Sequence, residues 1–324
     1  MKNLKKPPWL KKRIPPYQDL LKVKSILAAT DLHTVCEEAR CPNLGECFSR
    51  GTATFLILGN ICTRNCGFCA VEHGDPVPAD KKEAEKVARA VEKMGLRYVV
   101  VTSVTRDDLP DGGASHYAKT IQAIREVDGS AKVEVLIPDF QGDPSSLAMV
   151  LDASPDVLNH NIETVPRLYS KVRPQADYER SLRLLKRSKE YNLHLFTPLE
   201  IMPRCSAAGL GFRIIPAGFN APLEFLTGFT KSGFMLGLGE MREEVLDLME
   251  NLRQVKCDFL TIGQYLQPRP DRLPVVRFIP PEEFEEYKRI GEEMGFKAVA
   301  SGPFVRSSFH ASEMYDRRRM TDKK

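Results

Sequence analysis

The chain has 324 residues, 42% of them hydrophobic and 28% charged, which is ordinary for a soluble globular protein and supplies apolar sequence for a sizeable core. Disulfide staples are therefore not needed, and the eight cysteines call for another explanation. Formal net charge is only +4, no recognition-helix or aromatic–basic module points to nucleic acid, and neither a secretory signal nor a membrane span is visible, so a cytoplasmic protein with reduced thiols is expected.

Residues 1–52 precede the first strand and hold three cysteines; the stretch from Met1 to Gln18 carries six Lys or Arg and no acid. From there strand-like and helix-like segments alternate. Thr54–Leu58 reads as strand and Lys81–Met94 as helix. Tyr98–Val104 is a β-branched run typical of a buried parallel strand, followed by helix over His116–Val127. Lys132–Ile137 reads as strand, Ser145–Leu151 as helix, Val157–Ile162 as strand and Tyr178–Tyr191 as a strong helix. Phe234–Leu238 (strand), Glu243–Val255 (helix), Phe259–Leu266 (strand) and Pro281–Met294 (helix) complete the series. Six strand–helix units predict a parallel sheet with right-handed crossovers, and six fall short of a closed eight-fold barrel. The expected fold is α/β, a partial (β/α)6 TIM-type barrel over residues 53–295, with extensions at 1–52 and 296–324. Residues 198–229, rich in Pro and Gly and including Cys205, stand apart as an insertion where a short connection is expected.

Cys62-Thr-Arg-Asn-Cys66-Gly-Phe-Cys69 is the strongest signal in the chain. Three thiolates from one tight loop can hold three irons of a [4Fe–4S] cube and leave the fourth open to a ligand, unlike a four-cysteine ferredoxin site. Gly67 gives that loop backbone freedom. Zinc or a structural cluster are the alternatives; His73 is a nearby histidine, but one histidine is weak support. A second set, Cys36, Cys41 and Cys47, has an unusual Cys-x4-Cys-x5-Cys spacing that alone suits zinc or a cluster.

The Cys-x3-Cys-x2-Cys motif resembles the signature of the radical S-adenosylmethionine superfamily. With the second set upstream, and Arg306-Ser-Ser-Phe-His310 near the C-terminus, the chain resembles the lipoyl synthase family in particular. Pro7–Leu10, Thr102–Gly113, Asn159–Thr164 and Lys231–Glu240 also match that family, so the resemblance spans roughly residues 5–197 and 230–312. It implies two [4Fe–4S] clusters: a radical-generating one on Cys62, Cys66 and Cys69, and an auxiliary, sacrificial one on Cys36, Cys41, Cys47 and Ser308. It implies S-adenosylmethionine near Asn161, Glu163, Gly237, Gly239 and Glu240, the glycines allowing close backbone approach. The implied reaction inserts two sulfurs, at C6 and C8 of an octanoyl group on a lysine of a lipoyl carrier domain. An electron donor and iron–sulfur assembly proteins are implied partners, with no nucleic acid and no membrane.

The rivals are a sulfur-inserting radical enzyme with another substrate, an electron-transfer or metal-binding protein, and a relative inactivated by the insertion. The insertion is expected either to be tolerated or to disturb strand five and the S-adenosylmethionine site. Phe309 replaces the family's usual Tyr with an expected small effect, and Cys205 and Cys257 are read as buried or incidental thiols. Arg106 with Asp107 and Asp108 is expected to be a structural ion pair or part of the site. The basic N-terminal arm, through Lys5, Lys6, Lys11 and Lys12, is expected to steer an acidic carrier.

Overall fold

The computed structural model describes residues 5–12, 15–194 and 228–321; nearly all of the insertion, with Cys205, lies outside the described residues, as do the side chains of Arg317–Arg319. A 3-10 turn (Pro8–Leu10) leads to helix α1 (Tyr17–Thr30), strand β1 (His33–Thr34) and two short helices, α2 (Val35–Glu38) and α3 (Leu44–Ser49). Thr34 caps α2 by accepting from the Glu37 amide at 3.3 Å. Then come β2 (Thr54–Ile57), β3 (Ile61–Cys62), β4 (Glu72–His73), α4 (Glu83–Met94), β5 (Tyr98–Ser103) and α5 (Ala114–Val127). The series continues with β6 (Lys132–Leu136), α6 (Pro144–Asp152), β7 (Val157–Asn159), α7 (Tyr169–Val172), α8 (Tyr178–His194), β8 (Phe229–Leu236) and α9 (Arg242–Gln254). It ends with β9 (Phe259–Gln264), α10 (Pro281–Glu293), β10 (Ala298–Gly302) and α11 (Ala311–Thr321).

The eight-stranded sheet runs β1-β2-β5-β6-β7-β8-β9-β10, parallel throughout except for β1, which pairs antiparallel on the edge of β2. Strands β3 and β4 form a separate two-stranded ribbon. Six helical crossovers join seven parallel strands, so the partial barrel expected from the sequence is present with one strand more. That strand, β10, is short and built from Ala, Ser and Gly around Val299; its pairing with β9, not its own propensity, makes it a strand. Two limits also move. β7 stops at Asn159, where the chain bends toward Glu163, a non-glycine residue at φ 68°. β8 begins at Phe229 and pairs in register with β7 and β9, so strand five is intact after the insertion.

One hydrophobic cluster packs along the first half of the sheet, around Phe55, Val99, Ile121 and Val133, and another along the second, around Phe234, Leu248, Leu260 and Ile262. Leu20, Val23 and Leu27 of α1 join the first cluster, so residues before the first strand pack onto the barrel. A third cluster brings Met314 and Tyr315 of α11 against Val157, Phe259 and Ala298, the opening residues of three strands, so α11 covers the N-terminal end of the barrel. Cys257 is fully buried. Among the described residues no helix is long and apolar enough to cross a membrane.

Candidate active site

Cys62 ends β3, and the loop beyond it carries Cys66 and Cys69 at the C-terminal face of the sheet. The Cys62 sulfur accepts from the amides of Arg64 and Thr105 at 3.4 and 3.3 Å. Burial pushes the Cys69 thiol up to about 12, and the neighbouring Cys66 and Cys62 add to it. Burial raises Cys66 too, while the Arg173 guanidinium pulls against it. The loop is clamped on both sides: the Gly67 amide donates to Val172 O at 2.9 Å, and the Leu273 amide donates to Gly67 O at 2.9 Å. A Cβ at Gly67 would meet Lys171 O and Leu273 Cδ1, each at 2.9 Å. Gly67 thus supplies space for close packing, not the backbone freedom expected of it. His73 is exposed, with Nδ1 3.4 Å from Arg272.

Arg64, inside the motif and 5% exposed, donates to Asp107 at 2.6 and 2.8 Å and to Asp139 at 2.7 Å. Burial alone would raise the Asp139 carboxyl, but Arg64 overrides it and holds it at about 2. The Arg106 group divides: Arg106 pairs with Asp108 at 2.8 Å and reaches Leu58 O, while Asp107 turns to Arg64.

Asn161, Glu163, Arg173 and Glu240 follow β7 and β8 at the same face. Arg173 donates to Asn161 O at 2.8 Å and to the Tyr169 hydroxyl at 3.1 Å. Glu163 is raised by burial, with Arg173 and Asn161 opposing. Glu240 Oε2 accepts from the amides of Gly237, Leu238 and Gly239 at 2.9, 3.0 and 3.2 Å. A Cβ at Gly237, where φ is 109°, would collide with Gln264 and Arg277 O, so the close approach at that glycine comes from the protein itself. Arg173 Nε, Glu240 Oε1 and Asn159 Oδ1 are buried polar atoms with no hydrogen-bond partner among the described residues. A spare donor on Arg173 and a spare acceptor on Glu240 suit a ligand with both an acceptor and a donor end.

Cys36 lies on α2, Cys47 on α3 and Cys41 in the turn between them, held by its amide donating to Cys36 O at 3.0 Å. Burial, then the nearby Cys41, pushes Cys36 up to about 12 and Cys47 up to about 11. A cavity of about 150 Å3 is lined by Cys36, Cys47, Thr54, Tyr98 and Ser308. Ser307 is engaged elsewhere: it donates to Asn161 Oδ1 at 2.7 Å and accepts from Asn159 at 3.0 Å. Arg306, quoted above only as part of a motif, is close enough to Cys41 and to Glu163 to feel both; burial lowers its guanidinium and those two oppose it. The C-terminal segment is tied to Asn43 of the second set through Phe304 O and to Asn161 through Ser307, each at 2.7 Å. Beneath it, Lys231 (1% exposed) donates to buried Glu134 at 2.9 and 3.2 Å, and Glu134 also receives Tyr98 OH and Asn159 Nδ2.

The N-terminal arm is tied into the second set. Lys12 donates to Asn43 Oδ1 at 2.5 Å, pairs with Glu46 at 2.7 Å and lies over the rings of Phe304 and Phe309. Asn43 donates onward to Phe304 O at 2.7 Å. Lys12 therefore holds three segments together and is not free for the steering expected of it, whereas Lys5, Lys6 and Lys11 are exposed. The Phe309 ring packs 4.0 Å from His310. Arg64 and Arg173 were not legible as site residues; the usable signal was a cation inside a tight cysteine loop, with carboxylates following strands two and three. Among the described residues no group of His, Cys, Asp and Glu is gathered closely enough for a single metal ion.

A family model described as the radical SAM superfamily matches residues 56–202, and one described as the N-terminal domain of lipoyl synthase matches residues 1–41. A lipoyl synthase from Caldanaerobacter subterraneus subsp. tengcongensis is 52% identical over 95% of this chain and 96% of its own length. Those from Rubrobacter xylanophilus and Haemophilus influenzae are 52% and 48% identical over 95% of this chain, covering 86% and 87% of theirs. Among solved structures, Streptococcus suis SuiB bound to S-adenosylmethionine matches 80% of this chain at TM-score 0.52 and 10% identity, with about half (54%) of its own length covered. The hydrogenase maturase HydG matches 86% of this chain and 64% of its own length at TM-score 0.51 and 15% identity. These structural likenesses carry the fold.

Proposed function

The chain belongs to the lipoyl synthase family of the radical SAM superfamily, and on that premise we propose how its residues divide the work. The activity is radical insertion of two sulfur atoms, at C6 and C8 of an octanoyl group bound to a lysine of a carrier, and the enzyme is a sulfurtransferase using a [4Fe–4S] cluster and S-adenosylmethionine. Cys62, Cys66 and Cys69 hold that cluster in this reading, and Cys36, Cys41, Cys47 and Ser308 hold a second one that serves as the sulfur source. When bound, the first cluster with S-adenosylmethionine supplies the hydrogen-abstracting radical, and the second supplies sulfur.

The protein's own part is to bind, orient and exclude water. Arg173 and Glu163, half-buried beside Cys66, are suited to receive the carboxylate and amino ends of a zwitterion, and Glu240 Oε1 offers a further acceptor. Ser307 steadies Asn159 and Asn161, while Ser308 lines the same cavity as Cys36 and Cys47. The observation that supports this reading is the double attachment of one short segment: Phe304 O accepts from Asn43, between Cys41 and Cys47, at 2.7 Å, and Ser307 donates to Asn161, beside Glu163, at 2.7 Å. The specific carrier, the electron donor and the assembly proteins belong to the proposal as the family's implied partners.

The test is mass spectrometry of an octanoyl-lysyl peptide after anaerobic incubation with the reconstituted protein, S-adenosylmethionine and a strong reductant. A product with two added sulfurs is expected. An unmodified peptide with 5′-deoxyadenosine formed would move the substrate elsewhere.

A further inference from the structure

Beside the cysteine loop lies a cavity of about 330 Å3 that the chemistry above does not use. One wall is α8, which contributes Arg180, Arg183 and Arg187; the other is the loop after β6. That loop leaves the C-terminal end of its strand, so the cavity opens on the face that carries the thiols. Spacings of three and four residues put the three guanidiniums on one helix stripe.

The charges in the cavity are not equivalent. Asp139 is fully buried and shared between Arg64 at 2.7 Å and Arg180 at 3.2 Å. Asp143 is occupied as the cap of α6, accepting from the amides of Ser145 and Ser146. Among the described residues Arg187 donates only to the Gly142 carbonyl at 3.3 Å, and exposed Arg183 has only a long contact, 3.7 Å to exposed Asp177. Two exposed forks are thus left, among the described residues, without a close carboxylate at the mouth, next to Arg180, whose partner also holds the cysteine loop. Guanidinium forks match the paired oxygens of carboxylates and phosphates, and the acidic side chains of a protein surface present carboxylates.

We propose that this arginine-lined cavity docks an acidic side chain of the protein that carries the octanoyl group, an inference that rests on the function proposed above. A carrier, more than a small free anion, suits the site because Arg183 and Arg187 are open to solvent at the rim, where a protein surface can reach both. Arg180–Asp139–Arg64 links the docked position to the cysteine loop through two ion pairs, so docking and the loop share one buried carboxylate. Charge pairs at such a rim act chiefly on encounter and are weakened by salt.

The experiment compares two substrates, an octanoylated carrier domain and a short octanoyl-lysyl peptide, with the unmodified enzyme, the R183E/R187E variant and the R183K/R187K variant, all with reconstituted clusters. We expect reversal to lower kcat/KM for the carrier domain by roughly tenfold, mostly through KM, with the peptide affected far less. The lysine variant keeps most of the carrier rate, and rising ionic strength erodes the carrier advantage of the unmodified enzyme but not of the reversed one. An equal loss on both substrates, or no loss on either, overturns the docking site while leaving the function standing. An unmodified enzyme that adds sulfur to neither substrate overturns the function, and this inference with it.

Discussion

His160 sits wholly inside the protein, with Nδ1 2.9 Å from Ile137 O and Nε2 3.0 Å from the Ser181 hydroxyl, an arrangement that fixes the neutral ring donating through Nδ1. Burial, then the nearby Arg173, holds its pKa down to about 4. Because the folded value lies below the unfolded one, the unfolded chain binds the extra proton between pH 6.5 and 4, and stability falls as pH falls through that window, by about 3 kcal/mol. Urea midpoints measured from pH 7 to pH 4 are expected to drop steeply in the parent and to flatten in His160→Gln, which starts from a lower plateau. Asp139 has the ordinary carboxylate sign: its contribution is present above its unfolded value of 3.8 and is lost only as pH approaches about 2. Lys231 and Glu134 make a second residue-scale case. Lys231→Met strands a buried carboxylate, for an expected loss of about 3–5 kcal/mol by chemical denaturation. The double variant with Glu134→Gln should recover much of that loss; a double variant as weak as the single would show that the ion pair is not the source.

At the scale of elements, the second cysteine set depends on pieces far apart in the chain. Asn43, in the turn before α3, receives Lys12 from the N-terminal arm and donates to Phe304 O after β10. Asn43→Ala removes both bonds from a residue 1% exposed and should cost about 1–3 kcal/mol of local stability. The expected result is faster proteolysis at both ends of the chain and loss of iron from the second set, with the first set retained. Loss of both sets together would show that the ends are part of the barrel's own folding unit. α11 has its own role, since Tyr315 and Met314 fill the N-terminal end of the barrel beside Tyr98, whose ring lies 5.6 Å from that of Tyr315.

For the whole molecule, the two thiol sets predict separable defects. Cys62→Ala is expected to abolish both 5′-deoxyadenosine and sulfur insertion, whereas Cys36→Ala should keep S-adenosylmethionine cleavage and lose insertion. Iron content and 5′-deoxyadenosine read by chromatography check this, and a Cys36→Ala variant that still adds sulfur would remove the second set from the reaction. Loading either set must also displace protons, because thiols are protonated near neutral pH at their ordinary value and burial raises Cys36, Cys47 and Cys69 further.

The sequence by itself determined whatever depends on near neighbours. Three cysteines within eight residues stay together however the chain folds, and β-branched runs such as Tyr98–Ser103 with amphipathic helices between them dictate a parallel sheet. The family's motifs added the reaction. Tertiary structure decided what depends on partners distant in sequence. Lys231 meets Glu134 97 residues away, Arg64 selects Asp107 and Asp139 over its own loop, and Ser307 takes the two asparagines and leaves Ser308 to the cavity. It also made a strand of Ala298–Gly302, turned Gly67 and Gly237 into packing positions, and bound Lys12 beside Asn43 and Glu46. In each case the deciding term is a buried charge, hydrogen bond or close contact whose partner is brought in by the barrel, and no local pattern encodes that partner.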